Sequence, residues 1–113
     1  LFRHLNIPLN SNLTDIQSES LSSDYFNSKW TLLKIGHIVQ IKTNGFKNIS
    51  AGNNNIYQLS KPYQPKTHVQ WDVRDPKNNI YRISISTDGI ISVYGYSISN
   101  GTENVCDTFV YIV

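Results

Sequence analysis

His68, Gln70, Asp72 and Arg74 recur at every second position. In a β-strand that spacing sets side chains on one face, about 6.5 to 7 Å apart. The row presents an imidazole, an amide, a carboxylate and a guanidinium in line. A guanidinium and a carboxylate can hold neighbouring sugar hydroxyls while an aromatic ring from an adjacent strand stacks on the sugar. The same row also fits a plain solvent-facing strand, with Asp72 and Arg74 as a surface pair worth less than about 1 kcal/mol. Trp71 alternates with this row and shares its face with Val69 and Val73, which suits a core position as well as a ligand platform. Tyr94 and Tyr96 lie on one face of a later strand and could form an exposed aromatic pair. The candidate binding residues are therefore His68, Trp71, Asp72, Arg74, Tyr94 and Tyr96.

Other chemistries find less support. His4, His37 and His68 are scattered, with no His-x-His or His-x3-His pair, and none lies in a nucleophile-elbow, metalloprotease or kinase-type context. Only two Glu occur, Glu19 and Glu103, in Ser, Asn or Gly surroundings that read as solvated loops. A glycan-cleaving enzyme needs two carboxyl groups facing each other across a groove, and acidic residues are few. Asp72 and Asp75 make a weak calcium pair, with Arg74 between them and no ligand loop. Cys106 is the single cysteine, which excludes an internal disulfide and a four-thiolate metal site. Beside Val105 it reads as a packed thiol. The expectation is a non-enzymatic chain with no metal and no cofactor. Three Asn-x-Ser/Thr triplets, at Asn12, Asn48 and Asn100, are attributed to an Asn- and Ser-rich composition.

The elements that must position these residues are strands. Strands are expected at residues 30–35 and 37–43, separated by Gly36 and closed by Asn44-Gly45, and at residues 56–59 after a loop of three successive Asn. Pro62 and Pro65 exclude regular ladder positions between them. Residues 67–74 and 80–86 read as a hairpin about the Asp75-Pro76-Lys77-Asn78-Asn79 turn. Thr87-Asp88-Gly89 leads to residues 90–96, where Gly95 marks a bulge or a close approach, and a turn at Ser99-Asn100-Gly101 precedes residues 105–113. Residues 20–27 are a weak candidate for a helical turn. Leu5-x-Ile7-x-Leu9 alternates as a strand that could not stay folded alone. Trp30, beside Lys29, is expected at a rim, closing one end of a barrel or meeting another subunit. About seven strands at roughly ten-residue spacing indicate an all-β fold, a compact antiparallel barrel or sandwich.

The chain has 113 residues, room for one core. Ten basic and eight acidic residues are scattered, for a formal charge of +2, which indicates neither a nucleic acid nor an acidic membrane as partner. No stretch suits membrane insertion or a signal peptide. An initial Leu1, the absence of Met and the apolar run at residues 109–113 suggest a natural C-terminus and a cut N-terminus. Thirteen Asn and thirteen Ser with seven Tyr give an uncharged, hydrogen-bonding, aromatic surface that suits a carbohydrate, and equally an ordinary Asn-rich β domain.

Four segments together resemble a known family: Trp30-Thr31-Leu32-Leu33-Lys34-Ile35-Gly36-His37-Ile38-Val39; Leu59-x-x-Pro62-Tyr63-x-Pro65; Ile83-Ser84-Ile85-Ser86-x-Asp88-Gly89-x-Ile91-Ser92-Val93-Tyr94; and the closing Phe109-Val110-Tyr111-Ile112-Val113. Their order resembles the tip domains of phage tail fibres and baseplate proteins, above all the head domain of lactococcal siphophage receptor-binding proteins. The resemblance covers residues 28–113, with residues 1–27 as the end of a neck. It implies a homotrimer of β-barrel heads in the virion, made in the bacterial cytoplasm and acting outside the host cell. Each head would bind host cell-wall polysaccharide through Trp, His, Asp and Arg near subunit boundaries, and the trimer would join other baseplate proteins through a missing N-terminal part. Three copies wrapped about one axis would also bury the apolar face of Leu5-x-Ile7-x-Leu9. The competing reading is a structural or protein-binding β module of a virion.

Overall fold

Two runs of alternating apolar and polar residues build two antiparallel sheets. The computed structural model describes residues 16–96, 101–103 and 105–113, with residues 101–103 as backbone. The first sheet has the order β1 (Ile16–Leu21), β2 (Trp30–Ile35), β3 (Ile38–Lys42), β10 (Thr108–Ile112). The second has the order β5 (Gly52–Gln58), β8 (Ile90–Gly95), β7 (Ile80–Ile85), β6 (Val69–Arg74). A short ladder of β4 (Phe46–Ile49) with β9 (Gly101–Glu103) lies apart from both. The strand expected around Leu5, Ile7 and Leu9, together with His4, Asn12, Ser99 and Asn100, lies outside the described residues.

The fold is all-β, and a closed barrel is not formed. The edges that would close it, β6 and β10, meet through a stack of Trp71 on Phe109 with ring centroids 4.5 Å apart and through the Lys66 amide donating to the Ile112 carbonyl at 2.9 Å. No ladder joins them. A 3-10 turn at Lys61–Tyr63 occupies the proline-rich connector that leads into β6, and Pro62 at its start costs no hydrogen bond there.

Inward positions from both sheets make one core around Trp30, Tyr81, Phe46, Leu32, Ile83 and Ile91. Trp30 is fully buried, which corrects its expected rim position. Its indole stacks on Phe26 at 4.1 Å and donates from Nε1 to the Gly45 carbonyl at 2.9 Å. Phe26 reaches it through a turn closed by its own amide donating to the Ser23 carbonyl at 3.1 Å. Residues 20–27 therefore hold the end of a strand and a turn. The boundary expected near residue 28 falls between β1 and β2, hydrogen-bonded neighbours in one sheet. Tyr111, also buried, donates its hydroxyl to the Tyr63 carbonyl at 2.8 Å. Burial first, and the Tyr63 hydroxyl second, push the Tyr111 hydroxyl far above the usual tyrosine range.

Two turns fix the second sheet. In the β6 to β7 turn, the buried Asp75 accepts at Oδ1 from the amides of Lys77 and Asn79, and at Oδ2 from Asn79 Nδ2 and the Tyr81 hydroxyl. In the β7 to β8 turn, Gly89 has φ +83°, and a Cβ there would lie 2.9 Å from the Leu59 carbonyl oxygen. Only glycine combines that conformation with that approach.

Candidate functional site

Hairpin registers decide which polar side chains become neighbours on the outer face of the second sheet. Arg74 pairs with Ile80 and Asp72 with Arg82, Arg82 pairs with Tyr94, and Tyr94 with Asn53. One row therefore runs Asp72, Arg82, Tyr94, Asn53 across all four strands, roughly 14 Å wide at the usual strand spacing. The next row runs Gln70, Ser84, Ser92, Asn55 by the same pairings. Where these rows meet the end of β8, His68, Gln70, Arg82, Ser84, Tyr94 and Tyr96, with Asn53, line a shallow hollow of about 330 Å³.

Arg82 is the central cation of this hollow. Its Nε donates to Asp72 Oδ1 at 3.0 Å, and its guanidinium carbon lies 6.0 Å from the centre of the Tyr96 ring. The hydrogen bond from Arg82 to Asp72, and then the Asp72 charge, raise the Arg82 pKa above its already high ordinary value. The Arg82 and Asp72 side chains remain 40% and 58% exposed. An open pair of this kind adds little stability, so its effect is to orient the guanidinium. Tyr94 and Tyr96 meet edge to face at 4.9 Å and are 42% and 49% exposed. Their rings give the hollow an apolar wall beside hydroxyls and amides.

A network of short polar side chains continues the face toward β5. Ser92 Oγ donates to Asn55 Oδ1 at 2.8 Å, and Asn53 Nδ2 donates to the same oxygen at 3.1 Å. At the β5 edge, Asn55, Ile56, Tyr57, Gln58 and Ile90 line a second hollow of about 360 Å³, with Ile56 and Tyr57 packed on the core.

His68, Tyr94 and Tyr96 are brought together in the first hollow, and Asp72 borders it by holding Arg82. Arg74 stands on the same face one pair further along, opposite Ile80, so the surface pair expected between Asp72 and Arg74 is replaced by a cross-strand pair with Arg82. Trp71 is separated from the others. It points to the inner face of its sheet, half-buried against Phe109 and Tyr111. Arg82, Ser84 and Asn53 were not singled out in the sequence. The signal for the first two was the symmetry of the hairpin about the Asp75 to Asn79 turn, which already sets Asp72 opposite Arg82 and Gln70 opposite Ser84.

Glu19 lies on β1, not in a loop, and Glu103 lies on β9. The neighbouring Glu19 carboxylate adds to burial in raising the Tyr63 hydroxyl pKa. Cys106 is exposed, contrary to the packed position expected beside the buried Val105. Among the described residues no group of His, Cys, Asp or Glu is placed to hold a metal, and no helix is long and apolar enough to cross a membrane. No protein-family model matches the chain, and no curated protein matches it in sequence.

Proposed function

We propose that this chain is a non-catalytic saccharide-binding module that acts as the tip domain of a phage tail and recognises host cell-wall carbohydrate as a homotrimer. The observation that carries the reading is the hollow around Arg82, where a fixed guanidinium, a carboxylate, an imidazole and small polar side chains lie beside the Tyr94 and Tyr96 rings. Sugars present alternating hydroxyls and apolar C–H faces, and this surface offers partners for both. A shallow, open hollow suits a unit of a polymer better than an enclosed small molecule. The order of the four sequence segments supplies the phage assignment.

The test is binding to host cell-wall polysaccharide. Tyr94→Ala and Arg82→Ala are expected each to weaken binding about tenfold or more, and Trp71→Phe to leave it within about twofold, since about 1.4 kcal/mol is one decade. Calorimetric titration of the three variants gives the comparison, with wild-type affinity in the first two counting against this face.

The homotrimer draws support from the first sheet. Ile16, Ile35, Ile38 and Ile112 are successive register partners across its four strands. All four are exposed, Ile112 by 61%, and Val110 beside them by 56%. An apolar row of that kind on the outside of a domain marks a surface that another surface covers. Trimerisation would also multiply weak saccharide contacts through linkage. The same row favours the second reading, a module that docks on a different virion protein. Light scattering separates them: the homotrimer gives three times the chain mass of 12.9 kDa, and Ile38→Asp with Ile112→Asp reduces it to one chain. A wild-type monomer that keeps its fold would instead support docking on another protein.

A further inference from the structure

The outer face of the first sheet changes character along its strands. The isoleucine row occupies one end, and Ser20, Thr31, Lys42 and Thr108 make the register row at the other. Beyond that polar row lies a cleft of about 250 Å³ lined by Lys29, Thr31, Lys42, Thr43, Asn44 and Cys106. We propose that this cleft binds a phosphate-type oxyanion, at a site separate from the hollow around Arg82.

The lining is matched to an anion in three respects. It includes two lysines, Lys29 and Lys42, and no acidic residue among the described side chains. Like charges sharing one cleft repel, and a bound anion between them converts that repulsion into two attractions. Thr31, directly opposite Lys42 in the ladder, adds a hydroxyl to the lining. Asn44 adds an amide. The Cys106 thiol donates to Asn44 Oδ1 at 3.6 Å, so the acceptor side of that amide is occupied and its N–H groups remain to donate.

The cleft is also held in shape by the core. Thr43 is buried, its Oγ1 donating to the Val105 carbonyl and accepting from the Asp107 amide, both at 2.9 Å. The Thr43 amide donates to the Asp107 carbonyl at 2.9 Å, and the Gly45 amide to the Val105 carbonyl at 3.0 Å. These four bonds clamp the segment carrying Cys106 against the end of β3, so the wall opposite the lysines does not have to be ordered when a ligand arrives. A tetrahedral oxyanion, accepting from several directions, suits donors spread over Lys29, Thr31, Lys42 and Asn44 better than a planar carboxylate does.

The test is an NMR titration of the full chain with inorganic phosphate at constant ionic strength, following the amides of Thr43, Asn44 and Cys106. Saturable shifts are expected at these residues. Each of Lys29→Ala and Lys42→Ala should weaken binding about threefold, and the pair about tenfold. Lys77→Ala, a lysine in the β6 to β7 turn, should leave it unchanged. Dimethyl phosphate distinguishes the source: binding as tight as inorganic phosphate indicates a phosphodiester within a polymer, and much weaker binding indicates a free phosphate. Amide spectra matching wild type away from the cleft show that the variants fold. The proposal is overturned if sodium chloride alone produces the same shifts, if acetate binds as tightly as both phosphates, or if the double variant titrates like wild type.

Discussion

Trp30→Ala should cost about 3 to 5 kcal/mol of folding free energy, the usual range for emptying a buried aromatic site. The indole has no exposed surface, and its loss removes both the 4.1 Å stack on Phe26 and the bond to the Gly45 carbonyl. That carbonyl also accepts from the Asn27 amide at 3.1 Å, so it keeps one partner in the variant. The penalty is therefore mainly a cavity at the junction of β2, the Phe26 turn and the start of β4. Trp30→Phe, which preserves a ring for the stack, should lose distinctly less. Urea denaturation of the two variants measures the difference. Equal losses would mean that the hydrogen bond, not the packed volume, is what matters at this position.

Asp75→Ala should be the second large effect, about 3 kcal/mol or more. One carboxylate there serves four donors, two of them backbone amides and one the hydroxyl of the buried Tyr81. Removing the shared acceptor takes bonds to a charged group from all of them at once. Tyr81→Phe removes one donor and leaves the turn intact, so it should cost only about 1 kcal/mol. The two substitutions separate the worth of the whole turn from the worth of one bond. Because the turn also sets the register that puts Arg82 beside Asp72, Asp75→Ala should also weaken the proposed saccharide binding.

The parts of this fold that were legible in the sequence are those where alternation was clean. Residues 69–74 and 80–85, with Val69, Trp71, Val73, Tyr81, Ile83 and Ile85 facing in and mostly polar residues facing out, carry both strands and their hairpin pairing. The count of about seven strands fell short of the ten among the described residues, for local reasons. Gly52-Asn53-Asn54-Asn55 has the composition of a loop, yet it forms the start of β5. There the Asn side chains bond to one another and to backbone, Asn54 Nδ2 donating to the carbonyls of Ser50, Gly52 and Val93. Low strand propensity is overridden when the neighbouring strand supplies the pairing. Asn44-Gly45 suggested a hairpin turn but instead extends the pairing of β3, the Gly45 amide donating to the Val105 carbonyl, before the chain continues into β4.

The candidate site was legible to the extent that it lies along one strand. His68 and Asp72 came from the period of two, and Tyr94 and Tyr96 from the same rule on another strand. What alternation could not supply was the lateral neighbour, because a strand's own sequence says nothing of its partner's register. Trp71 shows the reverse case. Its face was readable from Val69 and Val73, and the structure places it on that inner side, away from the polar row.

The pairing of β3 with β10 bears on how the chain reaches this state. The side-chain bonds that fasten β3's end to the Val105 to Asp107 segment span 62 and 64 residues of chain, whereas β6, β7 and β8 follow one another through short turns. The β6-β7-β8 and β1-β2-β3 meanders can therefore close early from local contacts, while β10 on β3 and β5 on β8 must wait for distant ones, the slower kind of closure. During that wait the edge of β3, with its adjoining isoleucines, is open to any nearby strand. Chains emerging from ribosomes on the same message would be the nearest candidates, so synthesis rate and crowding should govern the yield of correctly folded protein as much as final stability does.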